Sequence, residues 1–165
     1  MKFNEFYSLT IVHSRDIILV KGVDYMNITK QKSQKTFDKQ AADYDTNIQG
    51  EHARKLYKPI IENLKNKNIH SILDLGCGTG ALLKEIKELN IAEQLFGIDI
   101  SPNMLEIAKN KLGNDATLIL GDSERLPFED SSFDAIVCND SFHHYPQPDI
   151  VEKEVFKAKW SFHYR

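Results

Sequence analysis

Residues 71–80 of this chain read S-I-L-D-L-G-C-G-T-G, and no other stretch says as much about its architecture. The apolar run before the first glycine predicts a short buried strand, and a helical pattern follows the last glycine. Gly76, Gly78 and Gly80 stand at alternate positions between them. Glycine adopts positive φ readily and, because it lacks a Cβ, lets a ligand lie against the main chain. A strand, a glycine turn and a helix in this order predict a cofactor site of the nucleotide type.

The glycine pattern by itself fits two kinds of cofactor. Gly76-x-Gly78-x-x-Ala81 also satisfies the looser fingerprint of dinucleotide-binding folds. Asp74 lies inside the strand, two residues before the first glycine. A carboxylate buried there is unfavourable without a partner, and it would repel a pyrophosphate. A cofactor with a cationic amino-acid end, such as S-adenosylmethionine with its α-ammonium and sulfonium groups, would satisfy it.

Later segments agree with this interpretation in their order along the chain. They are L-F-G-I-D-I-S at residues 95–101, G-D-S at 121–123, L-P-F at 126–128 and S-F-D at 132–134. Together with D-L-G-C-G-T-G they resemble class I S-adenosylmethionine-dependent methyltransferases. The run from Gly121 to Asp134 is similar to the subgroup that includes quinone-biosynthesis and other small-molecule methyltransferases. The resemblance covers about residues 35–158.

The resemblance and the alternation of apolar segments predict an α/β fold, a Rossmann-like doubly wound and mostly parallel sheet in three α/β/α layers. We expect strands near residues 70–75, 95–100, 116–120 and 134–139. Helices are expected over 31–44, 51–65, 80–89, 102–112 and 148–158, with Pro59 bending or breaking the second. Right-handed crossovers would bring the carboxyl ends of all four strands to one edge of the sheet, where ligands bind.

The resemblance also implies roles for single residues. Asp74 would meet the ammonium group, and Asp99, 19 residues beyond Gly80, would hold the ribose hydroxyls. Asn139 would lie near the sulfonium. The remaining cofactor-binding positions are the turn residues Gly76, Cys77, Gly78 and Gly80, the adenine sandwich Ile100 and Met104, and the adenine-edge residues Asp122 and Ser123.

Several of these residues have a purely structural alternative. Asp122 or Asn139 would then cap a loop, and Met104 would belong to the core. Tyr44, in a leading helix that covers the cofactor in relatives, is a candidate for the substrate pocket or else anchors its helix. His143 and His144 follow the fourth strand and are candidates for the base that removes a proton from the acceptor, or else pack within their loop.

Composition indicates a soluble protein without a nucleic-acid or membrane partner. Hydrophobic residues make up 41%, charged residues 27%, and the net charge of −3 argues against a general nucleic-acid-binding surface. No run of about twenty apolar residues occurs, so we predict that the chain has no transmembrane helix. We also predict a cytoplasmic location. Two cysteines, Cys77 and Cys138, give little support to a disulfide or a metal site. We therefore expect a small-molecule methyl acceptor as the partner and no metal.

The two ends depart from the family. We divide the chain into an N-terminal extension at 1–25, a partial methyltransferase domain at 26–158 and a divergent tail at 159–165. The extension would be a small hairpin or poorly ordered, and Met26 is a candidate initiator. The family's C-terminal strands are missing, which would leave the fourth strand, with Ile136 and Val137, unpaired.

Alternatives to an active enzyme are therefore an inactive truncated fragment and a binding module completed by self-association or a partner strand. A nicotinamide-dependent oxidoreductase is a distant alternative.

Overall fold

The protein is seen in a computed structural model that describes residues 7–12, 16–21 and 30–159. Its sheet has the strand order β2-β1-β6-β3-β4-β5. The strands are β1 Tyr7–Val12, β2 Asp16–Lys21, β3 Ile69–Leu75, β4 Ala92–Asp99, β5 Thr117–Leu120 and β6 Ala135–Cys138. The helices are α1 Lys30–Gln40, followed by a short 3-10 turn at Ala41–Asp43, and then α2 Ile48–Leu64, α3 Ala81–Glu88, α4 Pro102–Leu112 and α5 Pro148–Lys159.

The four predicted strands form the parallel part of this sheet. Strand β3 lies between β4 and β6, and Asp74 is in register with Gly97 on one side and Val137 on the other. Strand β5 continues the parallel pairing beyond β4. Successive residues of β3 face opposite layers, because side chains alternate along a strand. Ile72 joins a core built with α2, α3 and α4, whereas Leu73 joins a second core built with α5. The predicted three-layer, Rossmann-like architecture is confirmed.

Local signals at the helix ends also act as expected. The Ser101 hydroxyl accepts a hydrogen bond from the Met104 amide at 3.2 Å and caps α4, with Pro102 in its first turn. Of the two possibilities predicted for Pro59, a bend or a break, the break does not occur, since α2 runs through this proline as one helix to Leu64. In the described parts of the chain, no helix has the length and apolarity that crossing a membrane requires.

The edge of β6 is paired, so the prediction of an open edge with Ile136 and Val137 is wrong. The first two strands form the antiparallel hairpin that the sequence left as one of two possibilities. Its strand β1 pairs antiparallel with β6, with Leu9 opposite Cys138 and Thr10 opposite Val137. A segment distant in sequence therefore fills the place where the family's missing strands were expected. Because β1 pairs with β6, this edge is not available to a strand from another chain.

Candidate active site

A cleft lies at the carboxyl ends of β3, β4 and β6, beneath α1, with about 880 Å³ of empty space. Among the cofactor-binding residues predicted from the sequence, those that line it are Asp74, Gly76, Cys77, Gly78, Asp99, Ile100, Met104, Asp122, Ser123 and Asn139. Tyr44 and His144 line it as well, whereas Gly80 and His143 do not. The fold thus brings together in one cavity residues that lie as far apart in the chain as Lys30 and Pro146.

Asp74 forms part of the cleft wall at the end of β3. Its side chain is 2% exposed, and its Oδ1 atom has no hydrogen-bond partner among the described residues. Burial, with a smaller contribution from the charge of Asp99, raises the pKa of Asp74 from 3.8 to about 8. A buried carboxylate without a partner is strongly unfavourable. The site therefore favours a ligand group that brings a positive charge to Oδ1.

Asp99 ends β4 and is held by the main chain around it. Its Oδ2 accepts a hydrogen bond from the Gly78 amide and its Oδ1 one from the Ser101 amide, each at 2.8 Å. Burial nevertheless raises the pKa of Asp99 above its ordinary value, against the lowering effect of these amides. Each oxygen keeps a second lone pair, so the carboxylate can also accept from a ligand hydroxyl.

The glycine turn approaches the cleft closely but not uniformly. Gly76 has φ +76°, and a Cβ there would lie 2.6 Å from the Ser141 side chain. Gly78, at φ +52°, faces open space, since a Cβ there would have no atom of the described chain within 4 Å. Gly80 lies outside the cleft, against Leu112 and Ala108 of α4. The absence of a Cβ allows helix packing and a left-handed turn before α3, and the cofactor contact expected at Gly80 stays a prediction.

The far end of the cleft carries an ion-pair cluster that the sequence did not predict. The Lys30 ammonium, at the start of α1, lies 2.6 Å from Asp122 Oδ2 and 2.5 Å from Glu124 Oε2. Glu124 is buried and also accepts hydrogen bonds from the Gln147 amide and side chain. Lys30 and Asp122 are 92 positions apart, so no local pattern links them. The cluster fastens α1 to the loop that follows β5.

The charge of the cleft disfavours a phosphate ligand. Five carboxylates line it, on Asp74, Asp99, Asp122, Glu124 and Asp140, and Lys30 is the only lysine or arginine among its described lining residues. A pyrophosphate would face like charges on the ionised members of this set, while a cationic group would be attracted to them and would also favour ionisation of Asp74. The residues present therefore fit S-adenosylmethionine, whose amino-acid end is cationic, better than a dinucleotide.

Two further buried polar atoms lack partners, and both line the same cleft. Besides Asp74 Oδ1, the side-chain atoms without a hydrogen bond in the described chain are Ser33 Oγ and Asn139 Oδ1. Buried polar groups in folded proteins are nearly always paired. Concentration of all three in one cavity indicates that a polar ligand supplies the missing partners.

Helix α1 covers the cleft and positions Tyr44. Asp38 accepts a hydrogen bond from the Ser101 hydroxyl at 2.6 Å, which ties α1 to the start of α4. The main-chain carbonyl of Tyr44 accepts from Arg54 at 2.9 Å, while its ring meets Phe37 edge-on at 6.3 Å. Burial and the nearby carboxylate of Asp140 raise the pKa of Tyr44 to about 12, so its hydroxyl keeps its proton.

The two histidines that follow β6 lie in different surroundings. His144 lines the cleft and meets Phe37 edge-on at 5.0 Å. Burial and neighbouring His143 lower the pKa of His144 to about 4, so it is neutral near neutral pH. His143 lines an adjoining cavity, and burial lowers its pKa too, although Asp140 acts in the opposite direction.

The loop after β6 holds further site residues that the sequence analysis missed. The Ser141 hydroxyl donates to the Leu75 carbonyl at 2.7 Å, and the Tyr145 hydroxyl donates to the same carbonyl at 3.2 Å. Ser141 and Tyr145 therefore satisfy the last carbonyl of β3, and their side chains pack next to Gly76. The only sequence signal was the polar and aromatic run N-D-S-F-H-H-Y directly after a strand.

Comparison with known proteins agrees with this geometry. Residues 72–158, more than half of the chain, match the family described as Methyltransferase domain. A demethylmenaquinone methyltransferase of Thermotoga maritima is 34% identical over 129 residues, 76% of this chain and 56% of the relative. A malonyl-[acyl-carrier protein] O-methyltransferase of Priestia megaterium is 32% identical over 133 residues, 79% of this chain and 48% of the relative.

A solved structure gives the same result. The protein bound to the Trm112 methyltransferase activator in a Haloferax volcanii complex is 26% identical, with a TM-score of 0.63 over 74% of this chain and 54% of its own. The chain belongs to the Methyltransferase domain family, and it is of the class I S-adenosylmethionine-dependent type. It spans about half the length of the curated relatives that it matches.

Proposed function

We propose that this chain transfers a methyl group from S-adenosylmethionine to a small-molecule acceptor by in-line displacement. The observation that carries the proposal is the buried, unpartnered Oδ1 of Asp74 in the wall of the cleft. An α-ammonium group placed there would supply the missing hydrogen bond and charge. A dinucleotide such as NADH, the alternative that the glycine turn also fits, carries no ammonium group.

The cleft residues then divide into three regions. Asp74, with the turn residues Gly76, Cys77 and Gly78, binds the amino-acid end, and Asp99 binds the ribose. The adenine end is bound by Ile100, Met104, Asp122 and Ser123. Asn139, whose Oδ1 lacks a partner, lies between the amino-acid end and the acceptor.

When bound, the cofactor supplies a methyl group that its sulfonium already activates. The protein's residues therefore contribute alignment and exclusion of water. The Asp74 and Asp99 carboxylates fix the amino-acid end and the ribose of the cofactor. Phe37 of α1 and Tyr44, which follows the 3-10 turn, close the cleft from solvent. His143, His144 and the structurally adjacent His52 are the candidates for accepting a proton from the acceptor.

The acceptor is proposed as a small molecule. Two relatives are named as a demethylmenaquinone methyltransferase and a malonyl-[acyl-carrier protein] O-methyltransferase, and both names support this class of acceptor. The two named acceptors differ too much to indicate which small molecule this chain methylates. A cytoplasmic location is proposed with it.

Calorimetric titration with S-adenosylhomocysteine tests the proposal. The wild type and an Asp115→Asn control, changed at an exposed carboxylate that pairs with Lys87, should bind alike. Asp74→Asn should bind at least about tenfold more weakly, because a buried charged hydrogen bond is lost. Absence of binding to the wild type, or equal binding to Asp74→Asn, would contradict the assignment.

A second candidate function is cofactor binding without transfer. It is kept because the chain spans about half the length of its relatives. Incubation with methyl-labelled S-adenosylmethionine and extracted small molecules distinguishes the two, since only the enzyme forms a labelled product.

A further inference from the structure

A second cavity adjoins the cleft. It lies between α1, the start of α2 and the loop after β6, with about 950 Å³ of empty space. Ser33, Phe37, Tyr44, Asp140 and His144 line both cavities, so the two share a wall. A molecule in the second cavity would therefore lie beside the cleft, at the loop that follows Asn139.

Asp140 stands at the junction and holds a histidine from another element. Its Oδ1 lies 2.9 Å from the Nδ1 atom of His52 on α2, and its side chain is only 12% exposed. The Nδ1 atom of His143 is 4.0 Å from the same oxygen, beyond hydrogen-bond distance. A carboxylate bound at Nδ1 places the proton there, and this leaves Nε2 as the basic nitrogen.

We propose that the second cavity is the acceptor site and that His52, oriented by Asp140, is the general base for a flat acceptor with a hydroxyl group. This inference rests on the proposed methyltransferase function. It assigns proton removal to His52, which the sequence did not single out, instead of to His143 or His144.

The walls of the cavity define the shape of the acceptor. Rings of Phe37, Tyr44, His143 and His144 line it, and three of their pairs are in contact with centroids 4.0–6.3 Å apart. Aromatic rings arranged in this way bind another flat ring by stacking or edge contacts. Gln40 and Gln49 add hydrogen-bonding groups to the lining.

The proton balance requires a base of this kind. The acceptor O–H bond breaks and its proton goes to His52 Nε2, while the oxygen forms the new bond to the methyl carbon. The methyl–sulfur bond breaks and its electron pair stays on sulfur. His52 then passes the proton to solvent, since its side chain is 42% exposed. His144 suits this step less well, because burial lowers its pKa to about 4 and makes it a weak base.

The test uses 2-naphthol, a flat hydroxyl compound, with the protein loaded with S-adenosylhomocysteine. Long-range proton–nitrogen NMR should show His52 as the Nδ1–H tautomer in the wild type. Asp140→Asn should remove this preference, and asparagine tolerates the left-handed φ of +56° at this position. Saturating 2-naphthol should shift the His52 ring resonances and leave His70 unchanged.

Turnover gives a second readout when S-adenosylmethionine replaces the product. His52→Gln should lower methylation of 2-naphthol about 100-fold or more. The same variant should have a much smaller effect on the methylation of thiophenol, because thiophenol is already ionised near neutral pH and needs no base. The control is His70→Gln, which disrupts a histidine–carboxylate pair of 2.8 Å with Glu93 at the opposite end of the sheet. This control should behave as the wild type.

The outcomes separate the two proposals. If S-adenosylhomocysteine fails to bind, the proposed function fails. If it binds but 2-naphthol leaves His52 unshifted, is bound without being methylated, or is methylated equally by His52→Gln, only the acceptor-site inference is overturned.

Discussion

Asp74 is the residue on which the proposed choice of cofactor depends. The turn itself fits either a dinucleotide or S-adenosylmethionine, because both require close approach to the main chain. The buried carboxyl with its unpartnered Oδ1 favours the cationic ligand. Its chemistry also makes ligand binding sensitive to pH.

We predict that S-adenosylhomocysteine releases a proton when it binds near neutral pH. The pKa of Asp74 is raised to about 8 in the empty cleft, so the group is protonated below that pH. A bound ammonium lowers this pKa, and the proton leaves. Calorimetry in buffers of different ionisation enthalpy should show the release at about pH 7 and little of it at about pH 9. Asp74→Asn should release no proton, and a buffer-independent enthalpy for the wild type would contradict the prediction.

The same carboxyl should make the ligand-free protein less stable as pH rises. A folded-state pKa of about 8 against an ordinary value of 3.8 means that the folded state binds the extra proton between these values. The free energy of unfolding therefore falls through this window and changes no further above it. We expect Asp74→Asn to lose this dependence and to unfold at a higher temperature than the wild type at about pH 8. If the unfolding temperatures of the two proteins changed with pH in parallel, this would be inconsistent with a buried neutral acid at position 74.

Two glycines of the turn should respond differently to alanine. Gly78→Ala should lower the free energy of unfolding by only about 1 kcal/mol, since its left-handed φ is strained but its surroundings are open. Its methyl group would occupy the cleft, so binding of S-adenosylhomocysteine should weaken strongly. Gly76→Ala should be more destabilising, because its Cβ would lie 2.6 Å from the Ser141 side chain. Urea unfolding and calorimetry measure both, and equal stabilities or unimpaired binding by Gly78→Ala would refute this distinction.

At the level of elements, α1 is a cover attached at two points. Lys30 pairs with Asp122 and Glu124 at its first residue, and Asp38 meets Ser101 near its end. Lys30→Met removes the first attachment, worth about 1 kcal/mol or less at a partly exposed ion pair. We expect S-adenosylhomocysteine to dissociate up to about fivefold faster in stopped-flow displacement.

Lys35→Met is the matched control for that change. It removes an exposed lysine of the same helix and should leave the dissociation rate unchanged. Added salt should speed release from the wild type more than from Lys30→Met, because salt screens the pair that the variant lacks. Equal salt dependence of the two proteins would argue against an ionic attachment of α1.

The N-terminal hairpin has a structural role that can also be tested, namely to cover the edge of β6. Its strand β1 supplies the neighbour that β6 would otherwise lack. A chain that starts at Met26 should expose the β6 edge, unfold at a lower temperature and associate, since unpaired edges pair with other chains. Thr10→Pro, at a residue opposite both Val137 and Ile18, should act in the same direction by removing an amide from the ladder. Light scattering that finds a stable monomer after removal of residues 1–25 would contradict this role.

For the whole molecule, the sequence predicted what local chemistry specifies. The glycine turn, the cap at Ser101 and the acids Asp74 and Asp99 are readable because strand, turn and helix signals lie within a few residues. They were enough to predict the parallel sheet, its order of elements and half of the residues that line the cleft.

Long-range pairings were not readable in the same way. Lys30 with Asp122 and His52 with Asp140 join residues 92 and 88 positions apart, and nothing local marks them as partners. The same holds for β1 beside β6, because a short apolar hairpin does not specify which strand it joins. The packing of Gly80 against Leu112 and Ala108 of α4 was not readable either, because the motif alone does not indicate which helix lies beside the turn.

The most direct test of the whole account is a crystal grown with equal, saturating concentrations of S-adenosylhomocysteine and NADH. We predict density for the sulfur nucleoside alone, with its amino group within hydrogen-bond distance of Asp74 Oδ1 and its ribose on Asp99. Density for NADH, with the pyrophosphate over Gly76 and Gly78, would contradict it.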